Sequence, residues 1–247
     1  SNRCKFSNCN KILYSQYLTT IKMKYENITL AYGERSILRD ISLTIEPGEF
    51  VFLIGASGSG KTSFIKSLLG AKKLKKWHIF DDNGKDISLF SPKELLKYRR
   101  SLGTIFQDFK LLPRKTVREN VAFAMEVCGY SNQEITRRVP EVLSKVWLLA
   151  KKEVFIESLS GWEVQRTCIA RALIHEPNII IGDEPTGNLD RTNAMEIMYL
   201  LEELHKNGKT IIMATHDETI VNTMKKRVIA FEDGKIVSDT TNWTYCL

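Results

Sequence analysis

The spacing of hydrophobic and polar residues changes along the chain and divides it into elements. Apolar residues crowd into the runs 25–31, 36–45 and Phe50-Val51-Phe52-Leu53-Ile54, separated by Tyr32-Gly33-Glu34 and Glu46-Pro47-Gly48, which predicts strands joined by turns. A helix is predicted from Lys61 to about Leu69, with Gly70 as its stop. His78-Ile79-Phe80 followed by Asp81-Asp82-Asn83-Gly84 reads as another strand ending in an Asn-Gly turn. From Pro92 to about Leu149 the period becomes helical: Pro92 opens one helix, and Ser131-Asn132-Gln133-Glu134 makes a capping-box pattern at another. Strand signals return at 178–183, Thr210 to Thr215 and Arg227 to Phe231, the last turned by Asp233-Gly234 into a hairpin. Between them, a helix at about 193–206 sets Ile197, Leu200, Leu201 and Leu204 on one face and stops at Gly208. Strands alternating with helices predict an α/β fold with a mainly parallel sheet, into which a helical lobe, about 90–160, is inserted.

Composition narrows the class. The 247 residues, 43% hydrophobic and 26% charged, suffice for one sizeable core. No apolar run approaches the roughly 20 residues of a membrane span, so a membrane role has to come through a partner. Residues 1–22 lack the apolar core of a secretory signal and read as an N-terminal extension of tag and upstream sequence, with the domain at 23–247 and Met23 as its natural start. Five scattered cysteines suggest reduced thiols in the cytosol, and Cys4 and Cys9 have no neighbours that would make a zinc site. The net charge of +7 could favour an anionic partner, but Lys72-Lys73-Leu74-Lys75-Lys76 reads as a solvated turn and no nucleic acid is expected.

Chemistry enters at Gly55-Ala56-Ser57-Gly58-Ser59-Gly60-Lys61-Thr62, which has the P-loop spacing and stands between an apolar strand and a helix. Glycines let the backbone curl so that its N–H groups face phosphates, and the helix start adds a favourable dipole. Gly55, Ser57, Gly58, Ser59, Gly60, Lys61, Thr62 and Ser63 are therefore the candidate nucleotide cradle. Lys61 is expected to neutralise the β- and γ-phosphates and Thr62 to offer its hydroxyl to Mg²⁺. Ile179-Ile180-Ile181-Gly182-Asp183-Glu184 delivers two carboxylates at the end of a buried strand, where open α/β sheets place ligands. Asp183 is expected to hold Mg²⁺ through water and Glu184 to act as general base toward the attacking water.

With Ser160-Gly161 leading into a helix-prone run, these segments resemble the ATP-binding-cassette (ABC) ATPases over roughly residues 24–237. The resemblance implies a P-loop NTPase fold, the ABC nucleotide-binding domain, with an antiparallel β subdomain and an inserted helical subdomain; it implies ATP and Mg²⁺ as ligands and hydrolysis of ATP. It also supplies further roles. Tyr32 is similar to the aromatic residue that stacks on adenine. Gln107, in Phe106-Gln107-Asp108, resembles the glutamine that senses the γ-phosphate and Mg²⁺ and touches the membrane partner. Asp190, in Gly187-Asn188-Leu189-Asp190, would act across a dimer interface, and His216 resembles the switch histidine at the γ-phosphate. Ser160, Gly161 and position 162 would meet the nucleotide of the other subunit in an ATP-closed homodimer. The segments 49–55, 106–113 and 119–127 are similar to the cell-division members of the family, which implies an FtsX-like integral membrane subunit as partner and a place on the inner face of the cell membrane. Lipoprotein-release and macrolide-type exporters share much of this wording, and a soluble, non-transport ABC regulator is the reading from a different class.

One departure stands out: Trp162 occupies the family's second signature glycine. Trp147 and Trp77 also fall where relatives have glycine, and Trp243 follows an asparagine in the tail. A gene from a lineage that reads UGA as glycine, translated with UGA as tryptophan, would give this pattern, and UGG codons at 77, 147 and 162 would rule it out. The 14 glycines are somewhat below the usual share of about 7%. In the polypeptide as it stands, an indole in the signature is expected to forfeit conformations open to glycine and to obstruct dimer closure, slowing hydrolysis.

Overall fold

In the computed structural model, residues 23–32, 35–70, 76–80 and 86–241 are described. The N-terminal extension, the basic run at 72–75, the Asn83-Gly84 turn and Trp243 lie outside them.

The strands are β1 (Met23–Tyr32), β2 (Arg35–Ile45), β3 (Phe50–Ile54), β4 (Lys76–Phe80), β5 (Leu102–Ile105), β6 (Ile179–Asp183), β7 (Thr210–Ala214), β8 (Arg227–Glu232) and β9 (Lys235–Thr240). The helices are α1 (Lys61–Leu68), α2 (Pro92–Arg100), α3 (Val117–Glu126), α4 (Asn132–Lys145), α5 (Gly161–Leu173), α6 (Arg191–Lys206) and α7 (Glu218–Met224). Among the described residues, no helix is long and apolar enough to cross a membrane.

The strands form two sheets. β2, β1 and β4 make a three-stranded antiparallel sheet, and the larger sheet has the order β5-β6-β7-β3-β8-β9. Its strands run parallel except β9, which returns antiparallel to β8. The continuous apolar runs of β3 and β6 follow from burial on both faces. In β3, Phe50, Phe52 and Ile54 pack into one cluster with α3, α4 and α5, while Val51 and Leu53 pack with Phe64, Ile65 and Leu68 of α1. In β6, Ile180 faces the first cluster, and Ile179 and Ile181 face the second.

Local chemistry sets the helix starts. Capping boxes open α2 (Ser91 with Glu94), α3 (Thr116 with Glu119) and α4 (Ser131 with Glu134). The β8–β9 turn has left-handed Asp233 (φ 45°) and Gly234 (φ 77°), the pairing a tight hairpin needs. A Cβ on Gly234 would lie 2.1 Å from the Ile37 carbonyl oxygen, so only glycine lets β2 pass this close.

The structure differs from the sequence reading at 102–105. That tetrapeptide falls inside the helical stretch, yet as β5 it pairs in parallel with β6 at the sheet edge, Leu102 opposite Ile179 and Ile105 opposite Gly182. Four residues carry too little alternation to show as a strand, and pairing with a distant segment decides their state. α2 thus feeds a core strand, and α3, α4 and α5, which contact one another, follow it.

Candidate functional site

The loop between β3 and α1 is shaped by its glycines. Gly55, Gly58 and Gly60 have φ of 139°, 82° and 114°. A Cβ on Gly55 would stand 2.2 Å from the Phe231 carbonyl oxygen, so the loop can pack against β8 only as glycine. Gly60 is the N-cap of α1 and offers no side chain to the helix's first-turn amides, leaving them to an external acceptor. Lys61 is buried and donates to the carbonyl oxygens of Gly55 (2.6 Å) and Ala56 (3.0 Å). Burial lowers its pKa, while Glu184 and Asp183 act in the opposite direction. Its ammonium has two carbonyls but no bonded anion, a state an incoming phosphate would improve. Ser59, also buried, keeps a hydroxyl oxygen without a hydrogen-bond partner in the same loop.

β6 brings the acidic pair to this loop. The Thr62 hydroxyl donates to Asp183 Oδ1 at 3.1 Å. Burial raises the Asp183 carboxyl above its ordinary pKa; the Thr62 bond and the nearby Lys66 and Lys61 act against that, and Glu184 adds to it. Glu184 has left-handed backbone (φ 51°), and its N–H bonds to the Ala214 carbonyl at 3.0 Å. An unfavourable conformation for glutamate is thereby held by β7 at the point of chemistry. Glu184 Oε2 meets His216 Nδ1 at 2.8 Å, just beyond β7. Gly55, Ser57, Gly58, Gly60, Lys61, Thr62, Ser63, Gln107, Glu184 and His216 all border one cleft of about 770 Å³. Ala56 of the P-loop string borders it too, and outside the motifs the sequence reading missed two of its neighbours, Ile37 and Glu218. Glu218, two residues after His216, could have been found from that proximity; Ile37 belongs to another sheet and gave no local signal.

Ser160, Gly161, Trp162 and Asp190 do not border this cleft. Asp190 caps α6, accepting from the amides of Thr192 (3.0 Å) and Asn193 (3.1 Å), and the Asn193 and Thr192 bonds hold its carboxyl below the usual range. Ser160 is the N-cap of α5; its N–H and hydroxyl both donate to Glu163 Oε2, at 3.0 and 2.8 Å. Gly161 is exposed, with nothing within 4 Å of where a Cβ would project. Tyr32 closes β1 opposite Arg35, and its side chain lies outside the described residues.

For Trp162 one expectation needs correction. The residue is second in α5 with right-handed backbone, so no conformation reserved for glycine is forfeited, and only the bulk of the indole is at issue. That indole lies over Arg166, its ring centroid 4.6 Å from the guanidinium carbon. Trp147 covers the same guanidinium at 4.8 Å. Arg166 also donates to the Val146 carbonyl (3.2 Å) and pairs with Glu196 of α6. Trp147 itself is left-handed (φ 56°), just past the end of α4. Its N–H bonds to the Ser144 carbonyl (3.1 Å) and that of Leu148 to Leu143 (2.8 Å), a Schellman motif at a position that favours glycine. Trp77 is in strand β4 and has no such requirement.

Comparison with known proteins agrees with this geometry. A sequence profile of the ABC transporter family matches residues 38–187. The chain is 51% identical over 208 residues, covering 84% of its length and 91% of the relative's, to the cell division ATP-binding protein FtsE of Bacillus subtilis. It is 39% identical over 215 residues, 87% and 96% of the two chains, to the protein of that name in Escherichia coli. A dimeric ATP-binding cassette solved in a post-hydrolysis state with ADP and Pi superposes with a TM-score of 0.82 at 33% identity, covering 90% of this chain and all of that one.

Proposed function

The chain belongs to the ABC transporter family of ATP-binding subunits, and from that membership we propose that it serves cell division as the ATPase of an FtsX-like integral membrane subunit, on the inner face of the cell membrane. The observation that carries the ATPase reading is the convergence of Lys61, Thr62, Gln107, Glu184 and His216 on one cleft from four separate segments of the chain. The relatives named FtsE and the spans over which they match support the assignment to division.

The residues fit the reaction ATP + water → ADP + phosphate. The α1 amides and Lys61 bind the phosphates, and Lys61 exchanges its bonds to Gly55 and Ala56 for phosphate oxygens. Thr62, Asp183 and Gln107 are the side chains that would hold Mg²⁺, which when bound neutralises charge on the β- and γ-phosphates. The hard-oxygen donor set and the existing Thr62–Asp183 contact suit that ion. Glu184 accepts a proton from water as the water oxygen attacks the γ-phosphorus and the bond to the β-phosphate oxygen breaks. His216 meets Glu184 through Nδ1, and as the doubly protonated imidazolium it would donate its Nε2–H to a γ-phosphate oxygen.

In the homodimer, Ser160 and the exposed amide end of α5 meet the γ-phosphate bound by the other subunit, and Asp190 stands at the same interface. Trp162 places its bulk beside that contact, so this polypeptide binds ATP but closes and hydrolyses slowly. The test is co-purification: an FtsX-like protein of the same genome is expected to capture the chain from detergent extracts and to stimulate its phosphate release. No capture, together with hydrolysis stimulated by nucleic acid, would overturn the assignment in favour of a soluble regulator.

A further inference from the structure

The signature serine has a competing acceptor. A hydroxyl carries one proton, and that of Ser160 goes to Glu163 Oε2 at 2.8 Å, whereas a phosphate presented by a second subunit would need the same proton. Glu163 is buried, with 6% of its side chain exposed, and its other oxygen, Oε1, is ion-paired to Lys151. Lys151 ends the short turn Leu149–Lys151 and has half its side chain in solvent. Burial pushes the Glu163 carboxyl up, but Lys151 and the two bonds from Ser160 outweigh it and hold the group below the usual range, so it is a carboxylate. An uncompensated negative charge here would keep the Ser160 proton and repel the γ-phosphate.

We propose that Lys151 is a positioning residue for the signature: by engaging Glu163 Oε1 it loosens the carboxylate's hold on the Ser160 hydroxyl and cancels the charge that the arriving γ-phosphate would face. The inference rests on the ATP-closed dimer described above. Lys151 does not touch the nucleotide; it acts through Glu163, and its effect appears twice because a two-fold interface contains two such contacts.

The test uses the full chain carrying Trp162→Gly and Glu184→Gln, which removes the indole and the general base so that ATP-bound dimers accumulate. Sedimentation with ATP and Mg²⁺ measures dimerisation, and a fluorescent ATP analogue measures binding to the monomer. Adding Lys151→Met is expected to weaken each contact about threefold and so raise the dimer dissociation constant about tenfold, with monomer binding unchanged. Lys151→Arg should keep the parent value. Lys151→Met combined with Glu163→Gln should return to within about twofold of the parent, because a neutral amide no longer repels the phosphate. If Lys151 merely ties the turn to α5, removing both partners does not rescue. An unweakened Lys151→Met dimer, or a double variant no better than the single, overturns the proposal. A parent that stays monomeric in ATP overturns the dimer reading, and this inference with it.

Discussion

Replacing Trp162 with glycine should move two quantities in opposite directions. In the monomer the indole is a stabilising group: it covers one face of a buried guanidinium at 4.6 Å, a contact worth about 0.5–1 kcal/mol. Glycine in the first turn of α5 costs up to about 0.5 kcal/mol more than tryptophan. Arg166 keeps Trp147, Glu196 and the Val146 carbonyl, so the loss stays near 1 kcal/mol, which for a domain of this size lowers the melting temperature by roughly 2–4 °C. In the proposed dimer the same indole would bring on the order of 150–250 Å² of surface next to Gly161, at the contact with the other subunit. Its removal from both contacts is expected to tighten ATP-dependent dimerisation at least about tenfold, or about 1.4 kcal/mol, and to raise steady-state phosphate release in parallel. Thermal unfolding without nucleotide, sedimentation with ATP and a phosphate-release assay separate the two effects. Unchanged dimerisation and turnover would refute the obstruction, and an unchanged melting temperature would refute the stacking contribution.

Trp147→Gly should act differently, because its backbone is left-handed. Relief of about 1–2 kcal/mol of conformational cost exceeds the roughly 0.5–1 kcal/mol of stacking lost on Arg166, so urea unfolding should show a more stable protein by about 0.5–1 kcal/mol; a less stable variant would contradict the Schellman assignment. The Asp183 carboxyl, raised by burial, keeps its proton to higher pH than an exposed aspartate, and a protonated carboxyl cannot serve Mg²⁺. Magnesium affinity in the presence of ATP should therefore be full well above that raised pKa and fall as pH drops through it, and titration calorimetry of Asp183→Asn should find a weak affinity that no longer follows this titration. A pH dependence identical in the variant would remove Asp183 from the ion's coordination.

How much was legible in the sequence depended on how local the determinant is. The P-loop, the Asp183-Glu184 pair and the Ser131 capping box are contiguous strings whose spacing is their mechanism, and the structure brings the P-loop and Glu184 together with Gln107 and His216 in one cleft, with Asp183 bonded to Thr62 beside it. β5 was not legible, because a four-residue strand owes its state to β6, more than seventy positions away. α7, at seven residues, is too short for a clear helical period. The Trp147–Arg166–Trp162 stack joins the end of one helix to the start of another; its only sequence trace is the four-residue spacing of Trp162 and Arg166. That both odd tryptophans meet on one guanidinium, while only Trp147 has a backbone suited to glycine, needed coordinates. The ion pair of Lys151 with Glu163 is likewise a contact between segments, invisible as a motif.

The general base is where the ATPase reading is most exposed. Glu184→Gln keeps the shape of the side chain beside His216 and Lys61 but cannot take a proton from water. Phosphate release under single-turnover conditions, compared with ATP binding by the same preparation, is the direct measurement. The expected result is a fall in hydrolysis of about 10²-fold or more with ATP affinity retained within a few-fold. Hydrolysis at the unaltered rate would show that the proton goes elsewhere and that the cleft between β3 and β6 does not work as described.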